Sequence, residues 1–89
     1  YIGSNSVIGD YVTFSAGVMC NGNVIIKDNV FIGSGAVIDQ SKNGVPLIIG
    51  KDVFIAAGSV VTRDIPDGGR VSGNPAVPIV ENSLIEGIS

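Results

Sequence analysis

The sequence predicts an all-β solenoid of triangular coils, and three observations carry that prediction. Apolar openers stand six residues apart at Ile2, Ile8, Phe14, Cys20, Ile26, Ile32 and Ile38, and the beat resumes at Ile49, Ile55 and Val61. The fourth position of each unit is Asn5, Tyr11, Gly17, Asn23, Asn29, Gly35, Asp52, Gly58 or Asp64. Eight of these nine are Gly, Asn or Asp, the residues that tolerate a left-handed backbone. The fifth position is small or β-branched throughout: Ser6, Val12, Val18, Val24, Val30, Ala36, Val53, Ser59 and Ile65. Such residues suit an extended strand in a tight interior. A strand and a bend every six residues close a triangle of eighteen. Stacked triangles form parallel ladders spaced about 4.8 Å apart, each coil leaning on its neighbours. Gly or Asn at this interval would break a helix. A β-sandwich places its turns further apart.

The elements follow in order. Coil one is Ile2 to Met19, and coil two is Cys20 to Val37. The pair of units Ile26–Phe31 and Ile32–Val37 sets the frame most clearly. Coil three is Ile38 to Val60, with five extra residues in an insertion placed at 39–48. Coil four begins at Val61 and is expected to end near Asp64-Ile65-Pro66, because proline cannot donate to a further ladder. The β-helix is thus expected over 1–66. The stretch 67–78 carries three Gly and two Pro and reads as a loop. In the tail, 79–89, Leu84, Ile85 and Ile88 lie near helical spacing. The chain starts in mid-repeat without Met and is expected to be a fragment of a longer protein.

Composition narrows the partners. Hydrophobic residues make up 45% but aromatics only 6%, so the core must be built from Ile and Val. Charged residues at 15% are too few for a disordered chain. So short a solenoid buries little by itself, which favours an oligomer. The net charge of −3 argues against nucleic acid. The single cysteine, Cys20, excludes an internal disulfide and a cysteine-rich zinc site. No apolar run reaches membrane-spanning length and no signal peptide is visible, so a cytoplasmic location is expected.

Counting by eighteen brings distant residues together. Ser4, Gly22, Gln40 with the insertion, and Arg63 fall on one corner; Ser4 to Arg63 spans three coils, roughly 14 Å. Ser34 and Ala57 fall on another. A loop at one corner of a regular solenoid is where function is sought, although a tolerated insertion is the plain alternative. Each candidate also has a structural role of its own. Cys20 is a core filler, Gly22 a corner glycine, Arg63 a solvated turn residue, and Asp10 and Asp28 turn residues. Asn74-Pro75 fixes the exit from the coils.

Three pieces of the sequence resemble the hexapeptide-repeat acyltransferases: the repeats over 2–65, the run Ile55-Ala-Ala-Gly-Ser-Val-Val-Thr-Arg-Asp-Ile-Pro, and Val71-Ser-Gly-Asn-Pro-Ala. Ser4-Asn-Ser-Val-Ile-Gly-Asp and Cys20-Asn-Gly-Asn-Val resemble the bacterial sugar and sialic acid acetyltransferases of that superfamily. The resemblance implies a left-handed coil, a hand that strand physics alone would not choose. It implies a homotrimer with acetyl-CoA in the grooves between subunits, no metal, and an acceptor that is a nucleotide sugar or sialic acid. It places the family's histidine base at Ser4, the acidic neighbour at Asn5, a second histidine at Thr13, and the oxyanion N–H at Gly22. The acyl-CoA contacts fall on Gly22, Ser34, Ala57, Arg63, Asn74 and Pro75. The sequence departs from the family in having no histidine, and Val77 stands where a second basic residue is common. The base is then another residue such as Asp39 or Asp10, or lies upstream, or is lost. The functional expectation is an acetyl transfer from acetyl-CoA to a sugar amino or hydroxyl group. The alternative is a non-catalytic β-helix subunit.

Overall fold

The computed structural model describes residues 1–39 and 44–79. Their strands are short, two or three residues each, because a corner interrupts every sixth position. In chain order they are β1 (Val7–Ile8), β2 (Thr13–Phe14), β3 (Met19–Cys20), β4 (Val24–Ile26), β5 (Phe31–Ile32), β6 (Val37–Ile38), β7 (Leu47–Ile49), β8 (Phe54–Ile55), β9 (Val60–Val61), β10 (Arg70–Ser72) and β11 (Val77–Pro78). They form three sheets, ordered β1-β4-β7, β2-β5-β8-β10-β11 and β3-β6-β9, one on each face of a triangular prism. All pairs are parallel except β10 with β11. The structure is a left-handed parallel β-helix.

The register confirms the eighteen-residue coil. Val7 pairs with Ile25, Thr13 with Phe31 and Met19 with Val37. Across the insertion the partners move to Ile48, Phe54 and Val60, five residues further than a regular coil. Leu47 and Ile48 already belong to β7, and the N–H of Asp39 bonds to the Val61 carbonyl. The extra residues therefore lie within 40–46, a narrower span than 39–48. Gln40, expected on the first corner, lies outside the described residues.

The openers build the core. Cys20, Ile32, Ile38, Ile49 and Ile55 are fully buried, and Ile26 and Val61 nearly so. Ile2, by contrast, is 49% exposed, and Ile8 and Phe14 are half-buried. Burial thus follows stacking: an opener with a coil on both sides is sealed, and one in the first coil is not. The fifth positions from Val18 to Ile65 are buried as well, Ser59 among them, its hydroxyl donating to the Ala56 carbonyl at 2.7 Å.

Eight of the nine fourth positions have positive φ. Tyr11, the exception by residue type, nevertheless adopts φ 58°, because the coil geometry overrides its intrinsic preference. Asp64 is the position that fails. Ile65 pairs with Ile49, and Val71 with Ile55, each sixteen residues on. The fourth coil has lost two residues at this corner.

That shortening corrects the expectation for 67–78. Arg70–Ser72 forms β10, parallel to β8, and Val77–Pro78 returns antiparallel as β11. Pro66 does mark an end, but of one face only. The equivalent residues Gly9, Lys27 and Gly50 each donate an N–H to the coil above, and Pro66 has none to give. On the neighbouring face the ladder runs one rung further. The tail beyond Ile79 lies outside the described residues.

Candidate functional site at two edges of the prism

The third residue of each unit turns the corner, and those residues line the prism's three edges. The first edge carries Ser4 and Gly22. The Asn23 N–H donates to the Ser4 carbonyl at 2.9 Å, and a Cβ on Gly22 would stand 2.7 Å from that same oxygen. A side chain is therefore excluded at Gly22 by the backbone of the coil below. The second edge carries Asp10, Asp28, Lys51 and Asp67, linked by N–H bonds from Asn29 to Asp10, Asp52 to Asp28 and Gly68 to Lys51. The third carries Ala16, Ser34 and Ala57, linked by Gly35 to Ala16 and Gly58 to Ser34.

The edges differ in one chemical respect. A third-position N–H takes no part in the ladder. On the second edge it is capped at two positions: Asp28 Oδ1 accepts from the Asp10 N–H at 2.8 Å, and Asp67 Oδ1 from the Lys51 N–H at 3.0 Å, while the Asp28 N–H, with Lys51 above it, has no such cap among the described residues. Asn29 donates to Asp52 Oδ1 alongside, at 2.7 Å. On the other two edges the N–H groups of Gly22, Ser34 and Ala57 have no hydrogen-bond partner among the described residues. Backbone donors at an accessible corner are costly to leave unpaired unless water or a ligand takes them.

Both open edges border one face, the β3-β6-β9 sheet. Met19, Val37 and Val60 stack outward along it, with Met19 46% exposed. Arg63 leaves the top of β9, exposed, at the rim of a pocket of about 190 Å³ whose apolar lining includes Val61, Ile65, Val71 and Ala76. Its neighbour Asp64 is committed to the corner, Oδ1 accepting the Ile48 N–H at 2.9 Å. Arg63 has no ion-pair or hydrogen-bond partner among the described residues. Asn74 and Pro75, joined by a cis peptide, lie in the turn between β10 and β11. That turn closes the top of the same face: the Val60 N–H donates to Gly73, and the Ala76 N–H to the Val60 carbonyl.

The structure thus gathers Gly22, Ser34, Ala57, Arg63, Asn74 and Pro75 around one face, and Ser4 with its neighbour Asn5 at the foot of the first edge. It leaves others out. Thr13 points outward from the five-stranded sheet, in line with Phe31. Phe31 and Phe54 stack there at 5.4 Å, with the Arg70 guanidinium 4.7 Å above the Phe54 ring. Asp10 stands on the capped edge, bonded to Asp28. Asp39 follows β6 on the first edge, one coil above Asn21. Cys20 is core, as its opening position implied; burial pushes its thiol up. Sequence reasoning missed the capped edge as a device. Its signal was present in the recurrence of aspartate at 10 and 28, but the third aspartate, Asp67, is displaced by the two-residue shortening.

A left-handed solenoid of six-residue units, with open backbone donors along one face, defines the class of hexapeptide β-helix proteins. Family models described as "Bacterial transferase hexapeptide (six repeats)" and "Hexapeptide repeat of succinyl-transferase" match residues 5–40 and 23–63. The chain belongs to the hexapeptide-repeat transferase family. It is 54% identical over 76 residues to a GDP-perosamine N-acetyltransferase of Escherichia coli O157:H7, a match that covers 85% of this chain and 34% of that protein. WeeI from Acinetobacter baumannii AYE superposes with a TM-score of 0.85 at 51% identity, covering 89% of this chain and 37% of WeeI. The acetyltransferase domain of PglB from Neisseria gonorrhoeae FA1090, solved with acetyl coenzyme A, superposes at 0.67 with 37% identity, covering 78% and 31%. The chain spans about a third of the length of these relatives. Among the described residues no helix is long and apolar enough to cross a membrane.

Proposed function

We propose that this chain is the β-helical part of an acetyltransferase that moves an acetyl group from acetyl-CoA to a sugar amino group. The observation that carries the reading is the grouping of free donors. Gly22, Ser34 and Ala57 keep their N–H groups free around one apolar face, whereas on the second edge the Asp10 and Lys51 donors are capped by aspartates from the next coil. A pantetheine arm has amide carbonyls to accept such bonds, and an apolar ladder to lie on. The unpartnered Arg63 at the top of the face suits the nucleotide phosphates. Relatives named as N-acetyltransferases support an amino acceptor over a hydroxyl, and the perosamine enzyme supports a nucleotide sugar.

In this reading the acceptor nitrogen adds to the thioester carbonyl, and the Gly22 N–H donates to the developing oxyanion. The C–S bond breaks and CoA leaves as the thiol. Ser4 occupies the family's base position, and a serine hydroxyl is no base near neutral pH. The acceptor's proton goes to Asp39, the carboxylate at the head of the insertion on the same edge, and passes from there to the departing sulfur. The chain assembles as a trimer, with the outward ladders Met19–Val37–Val60 and Val7–Ile25–Ile48 as the surfaces that gain from burial.

Calorimetry of the full chain with acetyl-CoA is the direct test. Binding, followed by acetylation of a nucleotide-linked amino sugar, is expected. Absence of binding would overturn the enzyme reading. Binding without turnover, restored by Ser4→His, would instead identify a subunit that kept its cofactor groove and lost its base.

A further inference from the structure

The first edge contains a further feature beside the donor assigned to the oxyanion. Asn21 is followed directly by Gly22. Attack of a backbone nitrogen on the preceding asparagine's carboxamide needs three things. The attacking N–H must be free, the carboxamide must be free to rotate, and no Cβ should shield the attacking nitrogen. All three hold here. The Gly22 N–H is outside the ladder, and the Asn21 side chain has no hydrogen-bond partner among the described residues. Gly22 has no Cβ, and the coil below excludes one. The ladder bonds lie on either side, from the Asn21 N–H to Ile38 and from the Asn23 N–H to Ser4; for the Asn21–Gly22 peptide itself to tilt, only the weak Cys20 Sγ bond to the Asn21 carbonyl, at 3.7 Å, and the packing on Gly3 below must give. Asn21 is only half-buried, so water reaches it.

We infer that Asn21 is a site of spontaneous deamidation in the folded protein, and that the reaction switches off the first edge. The Gly22 nitrogen gives its proton to hydroxide or buffer base and bonds to Asn21 Cγ. The bond from Cγ to the side-chain nitrogen breaks, and that nitrogen leaves as ammonia after taking a proton. The resulting succinimide consumes its own nitrogen as an imide, so the Gly22 N–H is lost at this stage. Water then opens the ring at either carbonyl, giving aspartate or isoaspartate and restoring the N–H. The net change is one water consumed and one ammonia released. Aspartate places a new carboxylate beside Gly22. Isoaspartate inserts a methylene into the main chain and moves Gly22 out of step with Ser4.

The test is peptide mapping by mass spectrometry of the full chain, incubated at mildly alkaline pH in its native state and in urea. A buried, fully bonded asparagine would react only through global opening, slower by on the order of a thousandfold or more. For Asn21 the native rate is expected within about tenfold of the unfolded rate. Isoaspartate should appear in the peptide containing residue 21, and Asn21→Gln should remove that signal. Asn43–Gly44, the chain's other Asn-Gly pair, serves as an internal reference in the same map. Reaction at Asn43 alone, or native protection of Asn21 by more than a hundredfold, would overturn the inference. The mass readout is independent of the acetyltransferase reading. A parallel loss of acetyl-CoA binding by Asn21→Asp would extend it to function.

Discussion

Gly33→Ala sets two effects of opposite sign against each other. Gly33 sits just past β5 with an ordinary φ, and its N–H donates to the Ile55 carbonyl at 2.8 Å. An added Cβ would fall on the Ala57 nitrogen, and within 2.8 Å of its Cα and 2.9 Å of the Ala56 carbonyl carbon. All three are backbone atoms of the next coil, so no side chain can swing aside. Removing a glycine also stiffens the unfolded chain, a gain of about 0.4–1 kcal/mol. Overpacking against fixed neighbours costs about 1–3 kcal/mol. The steric term wins, for a net loss of about 1–2 kcal/mol. The same displacement lifts Ala57 away from Ser34. If both N–H groups bind cofactor, losing bonds worth about 1.4 kcal/mol weakens acetyl-CoA about tenfold. Gly35→Ala is the control. There φ is +71° and nothing lies within 4 Å, so the cost is conformational, about 1 kcal/mol, with no shift of the coils. Urea unfolding gives the stabilities, and calorimetry with acetyl-CoA gives the affinities. Gly33→Ala should damage both, and Gly35→Ala only the first. If Gly33→Ala matches wild type in urea, the coils are not packed as tightly as described. If Gly35→Ala weakens the cofactor as much, the third edge is not its site.

Other outcomes follow from single positions. Ile32→Ala, with Phe14 below and Ile55 above it in the ladder, should cost about 3–4 kcal/mol in urea unfolding, and Ile2→Ala, at a half-exposed end, under about 1 kcal/mol. Tyr11→Asn should stabilise by about 1 kcal/mol, read as a rise in thermal midpoint, since a bulky exposed residue now holds a left-handed corner. Arg63→Ala should weaken acetyl-CoA about tenfold at low salt and less at high salt, whereas dephospho-CoA should lose less. Cys20 should resist iodoacetamide at a pH where an exposed cysteine is ionised: burial raises its pKa, so the reactive thiolate is depleted until the protein unfolds.

Much of this fold is legible in sequence because each coil repeats one local rule. The openers, the fifth-position fillers and the corner residues follow from a count of six, and the five-residue insertion appears as a break in that count. Tyr11 shows the limit of reading by residue type, for position in the coil decided its backbone and side-chain identity did not. The fourth coil shows the limit of counting. Two missing residues near Asp64 moved the true opener to Ile65, and every position beyond it lost its frame, hiding β10 and the antiparallel β11. The candidate site divides in the same way. Which residues share an edge was countable. Which N–H groups stay free was not, because that depends on whether an aspartate from the next coil reaches down to take each one.

Pro66 has a consequence beyond ending one sheet. A stack of parallel rungs is a template, and an uncovered last rung invites another chain to pair with it and continue the pile. Among the described residues, all three sheets are stopped at the same end by different means. Pro66 withholds the donor on the first face, the 73–76 turn lies across β9 on the second, and the reversed strand β11, with Pro78, borders the third. Each of these devices opposes head-to-tail stacking of further coils on that end.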